Sequence, residues 1–245
     1  ATGGAIISWI LVSSPEIQRS HDFNGVVLNY TTNVTVDAGY YVKDASINIT
    51  PAGRHDGTIT GAMWSKGNSG SAMAFDGVDD YVEISNSVSL NPTKKISIEL
   101  WASATETNTQ AGWIPFIQKA YASHNTPHYQ YSVGYTGVDS SAGPGKLVFN
   151  LALNNVLVEH GTPTNTFPMD GSWHHIVATY NGTQMRIFMD GIEKGTSKAA
   201  TGSITSFATP LCLGKFPNLG GDPKYYFGGL LDDVRILDRS LSQEE

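Results

Sequence analysis

Apolar and polar residues alternate with a period of two along most of this chain. The clearest run is Ile96-Ser97-Ile98-Glu99-Leu100-Trp101-Ala102. Ile96, Ile98, Leu100 and Ala102 fall on one side of an extended segment and Ser97, Glu99 and Trp101 on the other, which predicts a strand with one face in a core. Similar runs recur at 72–75, 81–84, 113–118, 128–135, 146–153, 156–159, 174–180, 185–189, 211–214 and 231–237. Tight-turn residues stand between them, as at Asp56-Gly57 and Asp76-Gly77. No segment sustains an apolar period of 3.6. The prediction is an all-β chain of two antiparallel sheets packed face to face. One helical start is predicted, at Ser240–Glu245, where Ser242 and Glu245 have the spacing of a capping box.

Composition narrows the picture. With 245 residues, 40% hydrophobic and 15% charged, the chain can bury one large core, and all-β sandwiches reach this length as single domains. A net charge of −7 speaks against a nucleic-acid partner and leaves carboxylates available to a hard cation. The one cysteine, Cys212, excludes an internal disulfide and reads as a buried, inert thiol in an apolar strand. Residues 1–25 read as an extension and residues 26–245 as the sandwich domain. The extension carries an apolar strand, Ala5–Val12, far shorter than the roughly 20 residues that span a bilayer. A free apolar strand recruits partners, so this one is expected to pack on its own sandwich or to complete the sheet of another copy. Sequons at Asn29, Asn33, Asn48 and Asn181 point to an exported, extracellular protein that carries glycan.

Three stretches resemble one another in joining an Asp/Gly turn to an alternating strand: Phe75–Ile84, Ser172–Gly182 and Gly228–Ile236. In this order they resemble the laminin G-like jelly roll of the concanavalin A-like lectin/glucanase superfamily. The resemblance extends from about Val36 to Glu245 and includes Ser89–Pro92, the Asp190-Gly191 hairpin turn and the closing Asp233–Ser242. It implies a concanavalin A-like sandwich, a fold used more often to bind than to catalyse. Related glucanases carry Glu-x-Asp-x-x-Glu on one strand. Here Asp80 and Glu83 align, but Val78 stands in place of the first glutamate, so the carboxylate pair of a retaining mechanism is incomplete. The resemblance further implies a calcium ion linking an N-terminal loop to the last strand, with Asp44, Asp56 and Asp232 in those positions.

Other chemistry is sparse. His174 and His175 are adjacent on a strand and point to opposite faces, so they cannot share an ion; His174 is expected to pack or hydrogen-bond inside the sandwich. No Gly-x-Ser-x-Gly elbow, phosphate loop or His-Glu-x-x-His motif occurs, and no enzyme is expected. Aromatics are plentiful, and sugar sites combine aromatic faces with a few polar groups. Alternation places Tyr129, Tyr131 and Tyr135 on one strand face. Trp113, Tyr129 and Tyr225 are the candidate ligand-binding residues. The expected function is a non-catalytic extracellular laminin G-like domain that binds glycan or protein at a cell surface. The alternative is a structural subunit of an extracellular filament or surface layer, joined to copies of itself through residues 5–12. A lyase or hydrolase using unrecognised residues ranks third.

Overall fold

A computed structural model describes residues 6–11, 34–36, 40–42, 55–105, 112–120, 126–216 and 225–245, with backbone alone for the first three segments and for His55 and Asp56. The first sheet runs, in spatial order, Gln184–Met189, His174–Tyr180, Ile96–Ser103 and Gly228–Leu237. Ser71–Asp76 lies against the start of Gly228–Leu237, and Met63–Lys66 lies beyond it. The second sheet runs Val156–Gly161, Leu147–Leu153, Tyr129–Thr136, Trp113–Ala120, Leu211–Leu213, Tyr81–Ile84 and His55–Thr60. All these pairings are antiparallel, as the alternating pattern predicts.

One strand belongs to both sheets. Ile6, Ser8 and Trp9 pair antiparallel with Leu237, Ile236 and Arg235 of the first sheet, while Ile10 and Leu11 pair parallel with His55 and Asp56 of the second. The apolar strand of the extension is therefore hydrogen-bonded into its own sandwich.

The core follows the period of two. Ile96, Ile98, Leu100 and Ala102 are fully buried, and Ile176, Ala178 and Tyr180 continue their rows on the next strand. From the other sheet come Ile114, Phe116, Val133 and Phe149. Phe116 is the hub of a ring cluster, with centroids 5.2 Å from Tyr135, 5.4 Å from Phe167 and 5.3 Å from Phe227. Such pairs add about 0.5–1.5 kcal/mol each beyond the area they bury. Ser97 departs from the pattern: it lies on the outward side yet is buried, because its hydroxyl donates to the Arg239 carbonyl (2.8 Å) and accepts from the Leu241 N–H (2.8 Å).

The hairpin turn at Asp190-Gly191 has φ of 53° and 75°, the left-handed pair that a two-residue turn between antiparallel strands requires. The helix predicted at Ser240–Glu245 is a turn instead. Glu245 does accept the Ser242 N–H (3.2 Å), as a capping box would have it, but its other oxygen is held by Arg239 (2.6 Å). One turn of helix has no net stability without further turns to propagate it.

Candidate functional site

Strand register across the second sheet places Glu83, Cys212, Gln118, Ser132, Asn150 and Glu159 side by side in one row on its outer face. The middle four are 0–2% exposed although this face lies away from the core. Cys212 is inert there: burial, with the Glu83 charge beside it, pushes its thiol up to about 12. Asn150 Nδ2 donates to Ser132 Oγ (3.1 Å), and Gln118 Oε1 accepts a long hydrogen bond from Trp113 Nε1 (3.4 Å). Gln130, nearby on the same strand as Ser132, accepts the Phe207 N–H through its Oε1 (2.9 Å). Three amide atoms have no partner: Gln118 Nε2, Gln130 Nε2 and Asn150 Oδ1. A buried unpaired polar group costs about 1–3 kcal/mol, and two of these three, on Gln118 and Asn150, flank Ser132 in the row.

The indole of Trp113 lies on this face because Gly134 makes room for it. A Cβ at Gly134 would sit 2.9 Å from the Trp113 Cη2 atom and 2.2 Å from the Ile114 carbonyl oxygen. Further rings follow in sequence: His128 to Tyr129 (6.0 Å), Tyr129 to Phe216 (6.2 Å) and Phe216 to Tyr225 (6.3 Å). The Tyr225 ring in turn packs 3.6 Å from the Cβ position of Gly112. Tyr129 pairs with Ala120, at one end of the strand Trp113–Ala120, and Gly112 lies just beyond the other. None of these four rings belongs to the core cluster, so the chain of rings runs outside the core between the two ends of that strand. Burial, and then the charge of Glu159, push the Tyr129 hydroxyl well above its ordinary value, which places Tyr129 within reach of the far end of the row.

The single face expected for Tyr129, Tyr131 and Tyr135 is corrected by a bulge. Register shifts between Tyr129 and Tyr131 opposite Lys119. Tyr131 and Tyr135 enter the core, fully buried, while Tyr129 leaves it. An extra residue in one strand breaks the alternation of sides, and sequence periodicity alone does not reveal it.

Carboxylates on this face stand far apart. Glu83 and Glu159 are separated by five strand steps, roughly 24 Å at ~4.8 Å per step. Glycosidase pairs work at about 5–9.5 Å. Asp80 is buried in the turn before its strand, where its Oδ2 accepts the Asp76 N–H (2.9 Å). Burial pushes its carboxyl up, partly offset by that N–H and reinforced by the charges of Asp76 and Asp79. Asp76 lies below its ordinary value, chiefly because the Val78 N–H donates to it (2.8 Å). These are turn-forming roles.

The structure thus brings Trp113, Tyr129 and Tyr225 onto one surface. The expected calcium ligands fare differently. Asp44 lies outside the described residues, as does the side chain of Asp56. Asp232 gives its oxygens to backbone N–H groups, Ser69 to Oδ2 (3.1 Å) and Asp233 to Oδ1 (2.9 Å), with Asn68 contributing a third. Burial nevertheless keeps its carboxyl above the usual range. Both oxygens are thus engaged by local backbone donors, and the other two expected ligands lie outside the described side chains. Asn29, Asn33 and Asn48 also lie outside the described residues. Asn181 does not: its Oδ1 accepts from the N–H groups of Thr183 (2.9 Å) and Gln184 (2.8 Å), a local turn bond. The two histidines diverge as expected. His174 Nδ1 lies 2.8 Å from Asp190 Oδ2, with its ring edge-on to Phe167, and His175 Nε2 lies 3.0 Å from Glu99 Oε1.

Gln118, Gln130, Ser132 and Asn150 were not legible as site residues from sequence. The available signal was the interleaving of Gln130, Ser132 and Gly134 between tyrosines and valine, which marks a polar side to an otherwise buried strand.

A laminin G family model, described as the concanavalin A-like lectin/glucanases superfamily, matches residues 76–245. Among solved structures, domain 4 of AbnA, an extracellular arabinanase of Geobacillus stearothermophilus in complex with arabinotriose, is 17% identical with a TM-score of 0.55, over 77% of this chain and 84% of that one. The binding domain of Paraclostridial Mosquitocidal Protein 1 is 13% identical with a TM-score of 0.60, over 87% of this chain and 50% of that one. The botulinum neurotoxin serotype D binding domain is 11% identical with a TM-score of 0.56, over 87% and 48%. The chain thus spans about half the length of these toxin domains. At such identities the likeness concerns the fold. No curated protein matches the chain.

Proposed function

Because the chain belongs to the concanavalin A-like lectin/glucanase superfamily, we propose that it is a non-catalytic carbohydrate-binding domain acting outside the cell, with the outer face of the second sheet as its binding face. The observation that carries this reading is the pair of unpaired amide atoms of Gln118 and Asn150 in one row, with Trp113 bonded to Gln118. A sugar hydroxyl both donates and accepts, so it suits the N–H group of Gln118 and the oxygen of Asn150 alike. The rings of Trp113, Tyr129 and Tyr225 supply flat apolar surface for a pyranose or furanose face. No cation stands in the row, which favours a neutral sugar over an acidic one. Ligand entry requires rings to part from the sheet, and edge-to-face contacts worth about 0.5–1.5 kcal/mol each set the size of that cost.

The wide separation of Glu83 and Glu159 supports binding without hydrolysis. Export is supported by the sequons and by the extracellular setting of the arabinanase domain. The test is a glycan array followed by affinity electrophoresis on neutral polysaccharides, arabino-oligosaccharides included. At least one neutral glycan should bind, and Asn150→Ala should abolish retention. Absence of binding across the panel, or binding that survives Asn150→Ala, defeats the proposal.

A further inference from the structure

The strand Ile6–Leu11 completes two sheets at one corner of the sandwich. Ser71–Asp76 takes the stretch Gly228–Leu231 of the last strand, and Ile6–Leu11 takes Arg235–Leu237 farther along. Its other end takes His55 and Asp56. Without it, these two backbone segments would present unpaired N–H and C=O groups side by side, the template to which an added strand binds. The sequence Ile-Ile-Ser-Trp-Ile-Leu is apolar at five of six positions, the composition of a strand covered on both faces rather than of a free one.

We propose that this slot also accepts the same strand from a second copy of the chain, so that copies join by strand exchange. Pairing within a chain and pairing between chains make the same hydrogen bonds. What distinguishes them is the tether, and 43 residues (12 to 54) separate Leu11 from His55. A tether supplies an effective concentration on the order of millimolar when short, falling roughly as the −3/2 power of its length. Crowded copies therefore compete with the chain's own strand. Each copy offers one strand and one slot, a head-to-tail contact that closes as a swapped dimer or continues as a filament. This inference is independent of sugar binding, which occupies the outer face of the second sheet.

Ser8 pairs with Ile236, and residues opposite one another in an antiparallel pair lie about 4.5–5.5 Å apart, within the span of a disulfide. Full-length Ser8→Cys and Ile236→Cys chains, mixed at high concentration and oxidised, can be joined through this pair only between copies. The buried Cys212 does not compete. About tenfold more covalent heterodimer is expected in the mixture than dimer in either chain alone. A chain carrying both substitutions should close internally when dilute and form covalent multimers when concentrated. Internal closure at every concentration, with no heterodimer in the mixture, overturns the proposal. Failure of both to cross-link overturns it too, since the pairing itself would then be absent. The Trp9→Cys and Arg235→Cys pair repeats the measurement one position along the register and covers any loss of folding at Ile236.

Discussion

On the outer face of the first sheet, Glu99 lies between His175 Nε2 (3.0 Å) and Arg235 (3.6 Å), and Arg186 approaches Glu193 (3.8 Å). The indole of Trp101 packs 5.0 Å from the His175 ring. On the outer face of the second sheet the middle of the polar row is neutral and more deeply buried, and the Gln118 and Asn150 amides each keep an unpaired atom. Both faces carry a tryptophan over polar neighbours. On the first, opposite charges answer one another, although Arg186 Nε is also buried without a partner. On the second, the protein lacks the partners that its own amides need, and a guest molecule can supply them. What separates the faces is that charged groups pair on the first, while neutral amides go unmet on the second.

The largest expected effect that separates the faces is on affinity. Trp113→Ala should weaken carbohydrate binding by about 30-fold, on the order of 2 kcal/mol, as loss of a buried aromatic anchor does. Trp101→Ala should leave it within about twofold. Titration calorimetry on both variants checks this, and equal losses would erase the distinction.

A second test uses the neighbour of Gln118. Lys119 points the other way along the strand and is fully buried, yet its ammonium donates to Asn86 Oδ1 (2.8 Å) and to the carbonyls of Phe207 (2.6 Å) and Thr209 (2.5 Å). Burial lowers its value to about 8, although nearby Cys212 acts in the opposite sense. The folded chain therefore gives up this proton before the unfolded chain does. The cost of the buried ammonium is present in full below pH 8 and is relieved as pH rises towards the ordinary 10.5. The wild type should gain stability relative to Lys119→Met between pH 7.5 and 9, by at most about 1.4 kcal/mol per pH unit. Above pH 9 the raised thiol of Cys212 contributes a loss with rising pH to both proteins, so the comparison between them isolates Lys119. A flat difference in urea midpoints would show that the lysine is not buried as charge.

Gln118→Met should weaken glycan retention while changing stability in urea unfolding by no more than about 1 kcal/mol, because it removes an unpaired N–H group together with the acceptor of the long Trp113 bond. A larger loss of stability would mean that Gln118 is already satisfied, and the contrast between faces would narrow. The smallest effect belongs to the first face. Burial raises the Glu99 carboxyl, but the His175 hydrogen bond and the Arg235 charge outweigh it, and the net position is below the ordinary value. Its stabilisation is present above 4.5 and is lost as pH falls through the lower folded value. Glu99→Gln should cost about 0.5–1 kcal/mol at pH 7, the scale of a partly exposed ion pair, and the gap should close under acid.

These contrasts also show what sequence makes legible. Ile96–Ala102 reveals its sides because one face meets a core and the other does not, and the jelly roll followed from runs of that kind. Trp113 and Tyr225 were identifiable as rings in loop-like contexts, and Tyr129 only as one of three tyrosines along a strand. The polar row was not, because it exists only through register. Cys212 and Gln118 are 94 positions apart and become neighbours through the pairing of two strands. Ser97 shows the same limit, since its burial depends on residues near 240.

The strand that joins the two sheets has a mechanical consequence. A force drawn along Ile6–Leu11 loads hydrogen bonds to Arg235–Leu237 and to His55–Asp56 along the strand axis, so the bonds share the load in shear. A hairpin strand pulled from its turn would instead be peeled, one bond at a time. The corner where the sheets meet is therefore the place where this sandwich can bear tension, and a chain of copies linked there would transmit pull through backbone rather than through side chains.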